Sequence, residues 1–584
     1  MSMPARRAAG LLVLLVLVVI VVMVVAAARA QAPAPRPGTP ATLVLQGGRI
    51  VTLDEGAPEA TAMAVIGDTV VALGTPGSIR PYIAPTTTVI DLRGALAVPG
   101  LIDSHAHFSG IGEAKRELEL ASTTSWDEIV GKVDDAVKKA KPGAWILGRG
   151  WHQEKWTKRP EPDVEGFPTH ASLDRVSPDN PVMLTHASGH ATIANAKAMA
   201  LAGVTRNTPD PSGGEILHDP AGDPIGVFRE TASGLIGRAH GMARAKMTPA
   251  EIEAEALEVI RLADQECLSK GITTLHTAGE SFAGIDRLKR VTQDGRLGIR
   301  LYVMVGESNA RMKDGLAKYR TIGFGDKHLT VRAIKAYMDG ALGSRGAWLL
   351  EPYADLPAST GLNTTPLAEL RETAELAIAN GYQLCIHAIG DRANRELLNL
   401  YEETFKAHPD QKDLRWRDER TQHLSAADIP RYGRLGVIAA MQGIHCTSDA
   451  PFVLARLGPR RAEEGAYVWQ KLMKSGAVIA NGTDAPVEDV DPIPNFFATT
   501  TRRLKDGSVF FGDQRMTRME ALKSYTINGA FAAFEERIKG SLSPGRLADI
   551  TVLSRDILSV PENEIPAAKV LYTIVGGKVL YSAR

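Results

Sequence analysis

The chain has 584 residues and carries 67 lysines and arginines against 67 aspartates and glutamates, so its formal net charge is zero. That length exceeds one core of ordinary size and points to a large enzyme domain with accessory parts. Balanced charge excludes a protein whose main partner is nucleic acid, and a composition 23% charged and 44% hydrophobic excludes a disordered or multi-span membrane chain.

At the N-terminus, Arg6 and Arg7 precede an apolar run from Leu11 to Ala28, and Ala28-Arg29-Ala30 offers the small-x-small pattern of a signal-peptidase site. The run lies between a signal core and the ~20 residues of a comfortable membrane helix. A cleaved signal peptide over residues 1–30 is favoured over a retained anchor. In both cases the arginines stay cytoplasmic and the body is exported, to the periplasm or beyond the cell. Loss of residues 1–30 removes three arginines and no acid, which leaves a mildly acidic body of net charge −3. Residues 31–40, QAPAPRPGTP, read as an extended proline-rich linker. Three cysteines exclude a disulfide framework; Cys385 and Cys446 lie in or beside apolar runs, and together with Cys267 they read as buried, unpaired thiols.

From Ala41 the pattern is β: TLVLQGGRIVTL and AMAVIGDTVVALG, broken by Gly-Gly or Gly-Asp turns. ADITVLSRD and KVLYTIVGGKVLYS near the C-terminus look alike. Neither end can bury a core alone, so 41–97 and 541–584 are expected to join in one composite β-sandwich. Between them, eight short apolar runs alternate with helical patterns: VPGLIDSH, ITTLH, IRLYVMV, LTVRAIKAY, YQLCIH, RTQH, VIAAM and AVIANGTD. This rhythm predicts an α/β fold, a (β/α)8 TIM-like barrel over 98–540 with its chemistry at the C-terminal ends of the strands. Helix signals fall in the gaps: Asp391 as a cap for DRANRELLNLYEETF, a Thr517/Glu520 capping box, and Gly381 ending a helix that begins near Leu367. The stretch from His107 to Ile272 is far longer than the ~30 residues of one βα unit, which predicts an inserted cap at about 120–268 over the active-site mouth.

His105-Ala106-His107 closes the first barrel run, and side chains two apart on a strand share a face. H-x-H alone is a weak signal. Lys335, His387, His423 and Asp484 stand at the ends of later runs, and residues of these types converging on one rim point to metal binding. His276 ends the second run, His445 follows the seventh, and Asp339 and Arg345 lie on the glycine-rich loop after Lys335. With His190 of the insertion, and more weakly His186, these are candidate substrate contacts; structural roles explain them equally well.

These residues carry a resemblance. GGRIVT, VPGLIDSHAHF, WILGRGW, GITTLHTAG, IKAYMDGALGSRGAW, CIHAIGDRAN, GVIAAMQGIHCTSD, NGTDAPVEDVDP and GSLSPGRLADITVL resemble the amidohydrolase superfamily, specifically its third subfamily, which includes N-substituted formamide deformylases. The resemblance runs from Leu43 to Leu580. It implies metal ligands at His105, His107, Lys335, His387, His423 and Asp484. Two zinc ions are expected, one on His105, His107 and Asp484, the other on His387 and His423, with Lys335 bridging. A buried ammonium beside cations is repelled by desolvation and by like charge. That argument and the resemblance favour a carbon dioxide-derived carbamate on Lys335; an ordinary ion pair with Asp339 or Glu351 is the alternative. One departure concerns the sixth strand, where relatives often have Glu-His-Ala-Gln and this chain has Thr-Gln-His-Leu (Thr421 to Leu424).

The expected activity is metal-dependent hydrolysis of a non-peptide amide, N-acyl or N-formyl bond, with Asp484 as general base then acid. Alternatives are a lactonase, esterase or deaminase on the same scaffold and, less favoured, a non-catalytic binding protein. The expected partner is a small-molecule substrate. Membrane contact is expected only through an uncleaved N-terminus, and the resemblance implies a homodimer as the assembly to test.

Overall fold

The computed structural model of the protein describes residues 39–583; the signal-peptide or anchor segment and most of the proline-rich linker lie outside the described residues. Among the described residues no helix is long and apolar enough to cross a membrane. The chain opens with β1 (Leu43–Val51), β2 (Glu59–Ile66), β3 (Thr69–Gly74), β4 (Thr88–Asp91) and β5 (Leu96–Pro99). β2 and β3 form a tight hairpin in which Gly67, at φ +61°, supplies the left-handed turn conformation.

The barrel begins at β6 (Leu101–Ala106) and is then interrupted. β7 (Leu118–Glu119), β8 (Ile146–Trp151), β11 (Val182–His186), β12 (Ala191–Ala194), β13 (Gly214–His218) and β14 (Pro224–Glu230) form a six-stranded sheet of their own, while β9 (Asp163–Val164) and β10 (Phe167–Pro168) make a short ribbon. Trp126, Trp151, Phe167, Leu184 and Val227 are buried in a core separate from that of the barrel. The helix Pro249–Ser269 packs on the helix Phe108–Ala114 and on the next barrel strand, as a crossover of the barrel would.

The remaining barrel strands are β15 (Ile272–Glu280), β16 (Arg300–Val305), β18 (Leu329–Tyr337), β19 (Gln383–Ala388), β20 (Arg417–Arg420), β21 (Ile438–Met441) and β22 (Ile479–Asn481), all parallel in chain order; β17 (Thr321–Gly323) pairs antiparallel at the edge of β18. Closure is made just beyond the eighth strand. Asp484 N donates to His105 O (2.7 Å) and His107 N to Ala485 O (2.7 Å). The approach is close enough that a Cβ on Gly482 would lie 2.5 Å from His105 N, which explains the glycine there.

Seven of the eight expected runs carry a barrel strand. The sixth is displaced: the strand is Arg-Asp-Glu-Arg, 417–420, and not RTQH, 420–423. It has no apolar residue, yet all four are buried. Arg417 Nε meets Glu419 Oε1 at 2.7 Å inside the barrel, and Asp418 accepts from the Tyr432 hydroxyl outside it. A strand whose charges neutralise one another is invisible to hydrophobic periodicity.

β23 (Ile550–Leu553), β24 (Val570–Val575) and β25 (Lys578–Ser582) return to the first sheet, with β23 antiparallel to β5. The eight strands curl until the far edge meets the returning chain, where Val70 N donates to Arg546 O (2.9 Å) and Ala548 N to Asp68 O (2.7 Å). Leu45, Met63, Val65, Ile550, Val552 and Ile574 fill the space enclosed. Both ends thus supply one core, as expected of a composite sandwich.

Arg300 of β16 ties this sheet to the barrel through Asp549, at 2.8 and 3.0 Å and fully desolvated. Burial alone would raise the Asp549 carboxyl, but Arg300 outweighs it and holds the group below the usual carboxylate range. Its contribution is therefore complete above pH ~3.9 and is lost as pH falls below that value. Asp549→Asn is expected to cost about 3 kcal/mol in chemical unfolding at pH 7 and to flatten the acid limb of the stability profile.

Of the helix signals, Gly381 ends Leu367–Asn380 at φ +67° and Thr517 with Glu520 forms the capping box. Asp391 is not a cap. It is the first residue of its helix, capped by Gly390, and its carboxylate accepts instead from Leu350 N at 2.8 Å. Cys267, Cys385 and Cys446 are buried and unpaired.

Candidate metal centre

Three of the six expected ligands meet at the barrel mouth. Asp484 Oδ1 lies 3.3 Å from His105 Nε2 and 3.2 Å from His107 Nε2. Ligand atoms of the three all fall within 4.8 Å of one another, and they form the one such His/Cys/Asp/Glu group among the described residues. β6 aims both imidazoles inward by its two-residue period, and the closing hydrogen bonds bring Asp484 beside them. His105 Nε2 has no hydrogen-bond partner, while its Nδ1 contacts Glu419. A ring fixed from behind by a carboxylate with its other nitrogen free is the arrangement of a metal-ligating histidine. The donor set, two imidazoles and a carboxylate, fits a divalent ion such as zinc.

Electrostatics around the group are dense. Burial would raise the Asp484 carboxyl, but Arg420, His105 and His107 outweigh it and hold the group well below its usual range. Burial pushes the His107 imidazole down to about 4 despite Asp484. Lys335, on β18, is buried, and its Nζ sits 4.3 Å from the centre of the Tyr337 ring. Neither carboxylate proposed as its partner pairs with it. Glu351 reaches Arg460, and Asp339 accepts from the backbone of Trp348, Ile389 and Gly390 at 2.8–2.9 Å.

His387 ends β19 beside this group, fully buried with both ring nitrogens unpartnered, 3.7 Å from Asp339. His423 does not join it. It lies three residues past β20, its backbone is tied to Ile389 and Asn394, and its ring packs edge-on against Tyr467 at 5.3 Å. Burial alone lowers its imidazole to about 3. The residue that does stand at the strand's end is Arg420, whose Nη1 contacts Asp484 Oδ2. The strand thus ends at Arg420, which stands beside Asp484. His423 stands outside the three-residue group, with both ring nitrogens buried and unpartnered.

A cavity of about 450 Å³ opens above the centre, lined by His107, Arg149, His190, Glu230, Lys335 and Arg420 among others. His190 lines it, bonded through Nδ1 to Glu230 Oε2 at 2.6 Å. Gly340 makes room for Glu230, since a Cβ there would fall 2.1 Å from its carboxylate. The other candidates are placed less directly. His276 is sealed inside the barrel against Arg417 (3.1 Å), and Arg345 is committed to Asp355 (3.1 Å). Asp339 reaches the cavity wall but is saturated by backbone donors. His445 holds Gln422 (2.9 Å) and Arg420 (3.3 Å), and His186 is bonded to Gln153 at 3.0 Å within the insertion. Glu419, Arg420, Arg149 and Glu230 were not foreseen; all are charged residues on strands, where apolar periodicity carries no mark of them.

A parallel barrel with a composite end sheet and a His-His-Asp group at its mouth defines the class: a metal-dependent hydrolase. The chain belongs to the amidohydrolase family, whose model ("Amidohydrolase family") matches residues 88–581. It is 34% identical over 565 residues to "Protein LONG AFTER FAR-RED 3" of Arabidopsis thaliana, covering 93% of this chain and 92% of that protein. It is 26% identical over 549 residues to "N-substituted formamide deformylase" of Arthrobacter pascens, covering 92% and 98%. Among solved structures, an uncharacterized metal-dependent hydrolase from Pyrococcus horikoshii OT3 superposes with a TM-score of 0.70 at 24% identity, over 89% of this chain and 99% of that one.

Proposed function

We propose that the protein is an exported amidohydrolase that cleaves a non-peptide C–N bond of an amide, N-acyl or N-formyl compound. The observation that carries this reading is the His105–His107–Asp484 group, with His105 and Asp484 buried, His107 partly exposed and Glu419 behind His105. Family membership and the similarity to a formamide deformylase support it, and the pattern of residues 6–30 supports export. His105, His107 and Asp484 would hold a divalent ion, which would supply Lewis acidity toward the carbonyl and lower the pKa of a water.

The chain's own residues do the rest. Asp484, whose carboxylate lies within 3.3 Å of both imidazoles, accepts the proton of the attacking water and returns it to the leaving nitrogen. His190, fixed by Glu230, presents Nε2 to the cavity as a hydrogen-bonding handle for the substrate. The insertion, which supplies Arg149, Ser188, His190 and Glu230 to the wall, limits access of bulk water and shapes selection.

A panel of N-formyl and N-acyl amines, lactones, simple esters and aminopyrimidines, assayed with zinc-loaded protein, tests the reaction class. Turnover of the amides is expected, abolished by a chelator and restored by zinc. Preference for lactones or aminopyrimidines by tenfold or more would reassign it.

A further inference from the structure

We propose that the centre takes a single divalent ion per chain, the guanidinium of Arg420 occupying the place of a second cation. The inference rests on the reading of His105, His107 and Asp484 as ligands. Asp484 is divided between two positive partners: Oδ1 faces the imidazoles, and Oδ2 contacts Arg420 Nη1. The same Nη1 also lies 3.3 Å from His445 Nδ1, which Gln422 Nε2 approaches at 2.9 Å. The arginine's backbone bends to place it there. Arg420 has φ +100° and the following Thr421 +48°, a conformation that side chains rarely adopt and that turns the end of β20 toward the mouth.

His423, three residues past the strand, packs against Tyr467 and is not one of the residues grouped with His105, His107 and Asp484, which leaves His387 as the further imidazole, within electrostatic reach of Asp484. A guanidinium stays charged at any working pH. Arg420 acts electrostatically on His387, so a second ion held there would lie against a like charge where burial weakens screening. The residues present fit one ion and do not fit two, and a lysine carbamate has no pair of ions to bridge. Arg420 also lines the cavity beside His107. From there its fixed charge faces the substrate oxygen on which negative charge develops, a role that preorganised cations fill without reorganisation.

The full-length protein is saturated with zinc, freed of unbound metal by gel filtration and analysed by plasma mass spectrometry. One zinc per chain is expected. Arg420→His, which exchanges the charge for a ligand, is expected to hold two, and Arg420→Met one. Zinc-edge anomalous scattering from the unmodified protein provides a check independent of any variant: one peak among His105, His107 and Asp484 Oδ1, with Arg420 still on Oδ2. Two zinc ions in the unmodified protein, a second peak at Oδ2, or Arg420→His that still holds one overturns the proposal. No bound zinc in any of them overturns the ligand reading itself, and the proposal with it.

Discussion

Asp484→Asn is expected to lower kcat on the order of 1,000-fold while the KM for an amide substrate changes little. The substitution keeps volume and planarity but removes the charge that faces three partners at once. Oδ1 would no longer attract the ion shared with His105 and His107, Oδ2 would leave Arg420 buried without its anion, and no group would remain to receive the proton of the attacking water. Steady-state kinetics at saturating zinc separates the last effect from simple loss of metal. Activity within tenfold of the unmodified protein would show that Asp484 neither carries the proton nor anchors the centre.

Glu419→Gln is expected to act through two contacts of one carboxylate. Glu419 Oε1 neutralises Arg417 at 2.7 Å, and Oε2 fixes His105 from behind. Burial would raise the carboxyl, but Arg417 and His105 outweigh it and bring it down to about 2. A carboxylate depressed in the fold stabilises it fully above its ordinary value near 4.3 and loses that contribution only as pH falls toward about 2, so the charge is fully present at pH 7. Its removal strands Arg417 and should cost about 3–5 kcal/mol of stability. Zinc affinity, measured by competition with a chromophoric chelator, should fall ~10–100-fold. Unchanged affinity would mean that the ring of His105 needs no support.

Much of this centre was legible before any coordinates. His105 and His107 end a run whose apolar residues and period announce a strand, Asp484 follows the eighth such run, and both sit where a parallel barrel keeps its chemistry. The end sheets were equally plain, because two short β segments without a core must find each other. The sixth strand was not. Arg417 and Glu419 pair with each other on the strand, Asp418, Glu419 and Arg420 reach Tyr432, His105 and Asp484, and a charged tetrapeptide reads locally as solvent-exposed. Reading the strand three residues late assigned the ligand role to His423 and hid the arginine at the true end. The same blindness covered Glu230 and Arg149, whose importance lies in what they face across the insertion. Helix signals fared better where the partner is local, as with Thr517 and Glu520; Asp391 found its donor on Leu350, forty-one residues away.

The hydrogen bonds that join His105 and His107 to Asp484 and Ala485 also set an order of events during synthesis. A nascent polypeptide halted anywhere before the eighth strand holds two histidines on an unpaired edge and cannot yet grip an ion. The three-ligand group is complete only once Asp484 is in place, and a truncation near residue 480, which lacks it, is expected to bind zinc far more weakly.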